Sequence, residues 1–112
     1  MRKIFFLLLS IIFFTTGNAQ RNGSVKGIAF DTISKQPVAG ATITILEKKD
    51  SSLVTFTMTG NDGRFELKGM TNGEYRLLIT HTNYHNRNRF FAITDSAKIA
   101  EMGNVVMHDK VR

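Results

Sequence analysis

From residue 24 onward the chain alternates between short stretches of period-two patterning and clusters of Asn, Asp, Gly and Ser. Residues 38–46 (VAGATITIL) set the pattern, with Ala41, Ile43 and Ile45 on one face and Thr42 and Thr44 on the other. Alternation of β-branched side chains is what a half-buried strand requires, because successive side chains point to opposite faces of a sheet. The same reading predicts strands over 24–30, 53–59, 64–68, 74–82, 89–94 and 99–107. Their apolar sets are Phe65 with Leu67, Tyr75 with Leu77 and Ile79, Phe90, Phe91 and Ile93, and Val105 with Met107. Between them lie a polar loop at 31–37, closed by the only proline, and a charged loop at 47–52. Turns follow at Gly60-Asn61-Asp62-Gly63 and Asn72-Gly73, then a polar loop at 82–88 and another around 95–98. Asn, Asp and Gly tolerate the positive φ that tight hairpins need. Seven short strands without a helical stretch predict an all-β fold, a seven-stranded antiparallel or mixed Greek-key β-sandwich. A parallel sheet would need helical crossovers, whereas an immunoglobulin-like sandwich with different connections fits the same strand count.

Residues 1–19 read as a cleavable export signal. Arg2 and Lys3 form a positive start, residues 4–14 (IFFLLLSIIFF) an apolar run, and Gly17 and Ala19 small residues at the −3 and −1 positions. The run is too short for the ~20 apolar residues of a spanning helix, so no membrane-spanning segment is expected in the mature chain. The expected layout is a signal peptide at 1–19, a short polar arm at 20–23, one sandwich domain at 24–108, and a tail or cut linker at 109–112.

Charge and composition narrow the function. The chain carries +6, and outside the leader 13 Lys/Arg stand against 9 Asp/Glu. These basic residues are scattered, with Lys48-Lys49 and Arg87-x-Arg89 the close pairs within the predicted domain. Nucleic-acid binders gather charge into a patch or stripe, so nucleic acid is not expected as a partner. There are no cysteines, which excludes disulfides, Cys-ligated zinc, a thiol nucleophile and a lipid-carrying Cys at the cleavage site.

Five short motifs then stand in order. They are Gly27-Ile28-Ala29-Phe30-Asp31, Pro37-Val38-Ala39-Gly40-Ala41, Thr59-Gly60-Asn61-Asp62-Gly63-Arg64-Phe65, Asn72-Gly73-Glu74-Tyr75 and Asn83-Tyr84. Together they resemble the carboxypeptidase regulatory-like, transthyretin-like domain. The closest likeness is to copies at the N-terminus of TonB-dependent outer-membrane receptors and β-barrel proteins of Bacteroidota. That pattern has Asp where this chain has Gly60, Pro where it has Asn72, and Gly where it has Asn83. Gly63 and Gly73 are expected at turn positions with positive φ, and Asn83 stands where Asn is the best non-Gly substitute. Gly40-Ala41 is expected to admit close approach of a neighbour. Phe65 and Tyr75 are expected in the core, the Tyr75 hydroxyl reaching a loop carbonyl.

No catalytic constellation is legible, and no cofactor is expected. His81 and His85 cross from a strand end into a polar loop, and His108 is distant. A metal needs three or four converging ligands. Asp31, Asp62 and Asp95 read as turn acids without calcium-loop spacing. No nucleophile elbow or phosphate loop is present. The stretch 83–91 (NYHNRNRFF) could form a contact surface through Tyr84, Arg87 and Arg89, because Tyr, Arg and Asn favour recognition patches. On that reading, Tyr84→Ala and Arg87→Ala would weaken a partner complex without unfolding the domain.

The resemblance implies a non-catalytic domain in the periplasm or at the outer membrane. Its leading role is an N-terminal docking or accessory domain of an outer-membrane receptor or barrel, here a fragment or truncated relative. The alternatives are a free-standing periplasmic or secreted binding module and an accessory domain of an exported peptidase. The expected partner is a protein of the outer membrane or envelope, or a glycan.

Overall fold

A computed structural model of the protein describes residues 21–110. The leader read at 1–19 lies outside the described residues.

Eight strands build two sheets. They are β1 (Gly23–Asp31), β2 (Gln36–Pro37), β3 (Thr42–Glu47), β4 (Leu53–Met58), β5 (Arg64–Met70), β6 (Gly73–His81), β7 (Tyr84–Ile93) and β8 (Ile99–Val106). In the first sheet β1 is central, with β5 and the short β2 antiparallel to it and β8 parallel. The second sheet runs β4-β3-β6-β7, all antiparallel. Faces and layers follow the period-two pattern. The inner face of the second sheet is Ala41, Ile43, Ile45, Tyr75, Leu77 and Ile79, all buried. Against it the first sheet sets Val25, Ala29, Phe65, Leu67 and Val105. Burying about ten such side chains at ~1.5–3 kcal/mol each is the main favourable term for a chain without disulfides.

Four details differ from the sequence expectation. The strand count is eight, because Gln36–Pro37 pairs with Phe30 and Asp31 before the chain crosses to the second sheet. Proline is tolerated there because β2 is a two-residue edge strand. Most of the polar loop expected at 82–88 is the first half of β7, since the backbones of residues 84–88 complete a ladder with β6 while His85, Asn86 and Asn88 stay exposed. Phe90 points outward and is exposed, whereas Phe91 and Ile93 point inward. The ends are also longer than expected. Gly23 opens β1, and Asp109 and Lys110 still pair with the start of β7 through the Tyr84–Asp109 bridge and Lys110 N–H donating to the Asn83 carbonyl at 3.0 Å.

Two glycines carry the turn chemistry in different ways. Gly63 has φ 75°, and a Cβ there would meet the Ala29 carbonyl oxygen at 2.5 Å and Pro37 Cβ at 2.9 Å. Gly40 has φ 68° but open space around its missing Cβ. Gly40 is therefore needed for backbone conformation alone, not for the close approach expected from the sequence. The left-handed backbone costs an L-residue ~1–2 kcal/mol. Gly40→Ala should lose about that much in urea unfolding. Gly63→Ala should lose distinctly more, because it adds a backbone clash to the same φ cost. Equal losses would mean that the Gly63 neighbours give way freely.

Candidate functional site

The motif residues meet in three places, although they are far apart in sequence. The first is the end of β1. Asp31 is almost fully buried. Its Oδ1 accepts the N–H groups of Ile33 (2.9 Å) and Ser34 (3.2 Å), closing the β1–β2 turn. Its Oδ2 accepts the Tyr84 hydroxyl at 3.1 Å, from β7 in the opposite sheet. The Asp of the first motif and the Tyr of the fifth thus form one tie between the sheets. His81 packs edge-on against the Tyr84 ring at 5.3 Å, and its Nδ1 accepts the Asn83 N–H at 3.1 Å. Asn83 does not have positive φ. Among the described residues, the non-glycine residues that do are Lys35 and Ser51.

The second place lies between β2 and β4. Thr59 is buried and donates its hydroxyl to the Val38 carbonyl at 2.7 Å, while the same oxygen accepts the Ala41 N–H at 2.9 Å. Thr59 N–H donates to the Ala41 carbonyl at 2.9 Å. One side chain therefore holds the Pro37–Ala41 segment where it crosses between sheets. In β1, a Cβ on Gly27 would come within 2.9 Å of Phe65 Cζ and 3.0 Å of the Gly103 carbonyl oxygen. That crowding coincides with a bulge in β8 opposite Gly27. The sequence reading passed over the Thr59 side chain. A Thr at a strand end is legible as polar, but its burial is set by the strand crossing above it.

The third place is the opposite end of the sandwich. Tyr75 is buried, stacks on Phe91 at 5.4 Å and donates to the Thr71 carbonyl at 2.8 Å. This is the loop carbonyl contact expected of it. Gly73 opens β6 at φ 159°, close to extended, rather than in a left-handed turn. Beside it Asn72 joins two loops, its amide donating to Asp95 at 2.8 Å and its carbonyl oxygen accepting Lys98 Nζ at 2.8 Å. The Asn72 amide, then Lys98, lowers the Asp95 pKa below its ordinary value. The Ser52 backbone N–H, then its hydroxyl, does the same for the exposed Asp50.

The remaining candidates do not assemble into a reaction centre. Asp62 accepts the Arg64 N–H at 3.1 Å, a turn-closing role. His81 ends β6 and His85 lies near the start of β7, so they sit on different strands. No group of three His, Cys, Asp or Glu side chains suited to a metal occurs among the described residues. No helix there is long and apolar enough to cross a membrane. Arg87 and Arg89 lie opposite Ile79 and Leu77 on the inner side of β7, half-buried at the sandwich flank. Long basic side chains lie on apolar surface in this way while the charged head reaches for water. The Arg87 Nε nevertheless stays buried without a hydrogen-bond partner.

What is left open is the outer face of the second sheet. Leu53 (62% exposed), Phe56 (64%) and Met58 (58%) project from β4, and Phe90 (61%) from β7. The register sets Phe56 across Thr44, Leu78 and Asn88, and Leu53 across Leu46, Arg76 and Phe90. Lys48 lies over the Phe90 ring at 5.7 Å. On β4 the usual order is inverted, with Thr55 and Thr57 turned toward the core and the large apolar side chains toward solvent.

A two-sheet sandwich with this strand order is of the transthyretin-like class. The chain belongs to the carboxypeptidase regulatory-like domain family, whose sequence model matches residues 24–107. Among solved structures it is similar to BcpA, the major pilin subunit of Bacillus cereus, with TM-score 0.69 and 10% identity over 80% of this chain and 31% of that one. The chain thus spans about a third of that pilin's length. It is also similar to the TIE protein of Bacillus anthracis (TM-score 0.66, 18% identity, 80% of this chain and 17% of that one). A third likeness is to 5-hydroxyisourate hydrolase of Klebsiella pneumoniae (TM-score 0.58, 13% identity, 75% of this chain and 90% of that one). At such identities the likeness is one of fold. No curated protein matches the chain.

Both the Tyr84 tie and the Asp95 contacts can be tested. Tyr84→Phe should lower unfolding stability by about 1–2 kcal/mol, the worth of one part-buried hydrogen bond, and Tyr84→Ala by more. Tyr84→Ala is thus expected to cost stability beside any effect on a partner complex. If denaturant titration finds Tyr84→Phe as stable as the parent, the Asp31 tie has no energetic weight. For Asp95, the folded pKa lies below the unfolded one. Its contribution is therefore present above the unfolded value and lost as pH falls through the folded value. The carboxyl carbon of Asp95 should titrate by NMR below an ordinary aspartate, and Asn72→Ala should move its midpoint back up.

Proposed function

We propose that this domain is a non-catalytic, exported module of the cell envelope that docks a larger assembly. Its foremost role is that of a periplasmic extension domain of an outer-membrane receptor or β-barrel protein. The observation that carries the non-catalytic reading is the use made of Asp31. It is the only buried charged side chain among the described residues, and it is spent on two loop N–H groups and a tyrosine hydroxyl. An acid placed for chemistry would face a pocket where a substrate proton could reach it. Family membership supports the same reading, because the matched region takes in almost the whole sandwich. Docking is supported by the exposed Leu53, Phe56 and Met58 on the outer side of β4, since exposed large apolar side chains grouped together mark interaction sites. The partner would be an envelope protein or a glycan.

The test is the intact mass of the native envelope species detected with an antibody to this domain. A species several times heavier than 12.6 kDa, released only by detergent, is the expected result. A soluble species slightly lighter than 12.6 kDa would reject the receptor role and leave a free-standing binding module.

A further inference from the structure

The edges of the two sheets are not alike. A free strand edge offers unpaired N–H and C=O groups, and natural proteins guard such edges with charge, proline, bulges or cover. β5 carries Arg64, Glu66 and Lys68. β7 carries Arg87 and Arg89, and its first residues are covered by Asp109 and Lys110. β8 carries Glu101 and is bulged opposite Gly27. β2 is two residues long and contains Pro37. β4, with the sequence LVTFTM, has no charge, no proline and no glycine, and it pairs only with β3. Its one irregularity is a bulge at the Leu53 end, which leaves residues 55–58 flat.

Backbone direction sharpens the point. Thr59 N–H donates to the Ala41 carbonyl, so residues 41 and 59 form a hydrogen-bonded pair. Antiparallel pairs alternate between bonded and non-bonded. Thr57 and Thr55 therefore point their backbone groups at β3, and Phe56 and Met58 point theirs at the open edge. The same two residues carry the most exposed apolar side chains of the strand's flat part.

We infer that the β4 edge pairs with the β4 edge of a second copy of this chain, antiparallel across a two-fold axis at Phe56. The pattern is self-complementary about that residue. Phe56 meets its own copy and Thr55 meets Thr57, so that like faces align and the two four-stranded sheets become one. An antiparallel partner brings the loop Glu47-Lys48-Lys49-Asp50 at one end of β4 beside the turn Asn61-Asp62-Gly63-Arg64 at the other, so that Lys48-Lys49 can face Asp62 and Asp50 can face Arg64. A parallel partner would set Lys48-Lys49 against itself. The ladder alone buries less than the ~800 Å² per partner of a standard interface, so the dimer is weak and depends on concentration. The inference rests on the strand edge and not on the receptor role.

The absence of cysteine makes the test direct. In the full chain, Phe56→Cys places two sulfurs across the axis, where bonded pairs have Cα atoms about 5.5 Å apart, within the range of a disulfide. Glu66→Cys, exposed on β5, is the control for chance collision. Mild oxidation should cross-link Phe56→Cys to a dimer at least tenfold faster than Glu66→Cys. Sedimentation of the parent should show concentration-dependent dimerisation. Phe56→Lys should abolish that dimerisation with an unchanged melting temperature. Equal cross-linking rates, or a dimer that persists in Phe56→Lys, would overturn the inference. So would cross-linking of the Phe56→Cys variant to a different envelope protein without any dimer.

Discussion

Asp31 sits at the end of β1, where the chain turns back into β2 of the same sheet, and its carboxyl group is enclosed by the turn that it closes. A buried acid without partners would be costly, so its position depends on the turn N–H groups and on Tyr84 arriving from the other sheet. In return, the tie fixes where β7 begins relative to β1. The C-terminal segment then reinforces the join, with Met107 N–H donating to the Phe30 carbonyl and His85 N–H to the His108 carbonyl. One polar group thus sets the alignment of two sheets whose apolar faces could otherwise slide, since hydrophobic burial is non-directional.

The other ties follow the same logic at other crossings. Thr59 satisfies backbone groups of the segment that passes from β2 to β3, a place where neither sheet can pair them. Tyr75 does so for the loop after β5. Each is a polar side chain buried at the point where the chain changes sheets. A sandwich without disulfides relies on such points, because they are where backbone groups would otherwise be left unpaired.

Against this closed interior, the second sheet has an outer surface with exposed apolar side chains and one edge, β4, that pairs only with β3. Threonines turn inward on β4 and Phe56 and Met58 turn outward. A domain shaped only for solitary solubility would show the reverse. The inversion is the observation on which the proposed docking role and the proposed β4 pairing both draw.

Much of this was legible in the sequence. Period two in 42–46 and 74–81 determined which side chains are buried, because a strand's side-chain direction is fixed by its own backbone. The five motifs announced the family from the linear order alone. Gly63 was readable as a turn, because only glycine accepts that backbone with a carbonyl so close. The sequence misled where neighbours decide. The polar run after Thr82 looks like a loop, yet β6 offers it a free edge and makes it a strand. Tyr84 reads as a recognition residue, and its hydroxyl proved to be held by Asp31, 53 positions away. Thr59 and Phe56 are equally ordinary in a linear reading. Local pattern fixes strand and face, but which face meets a second sheet, and which edge meets nothing, is set only when distant strands come together.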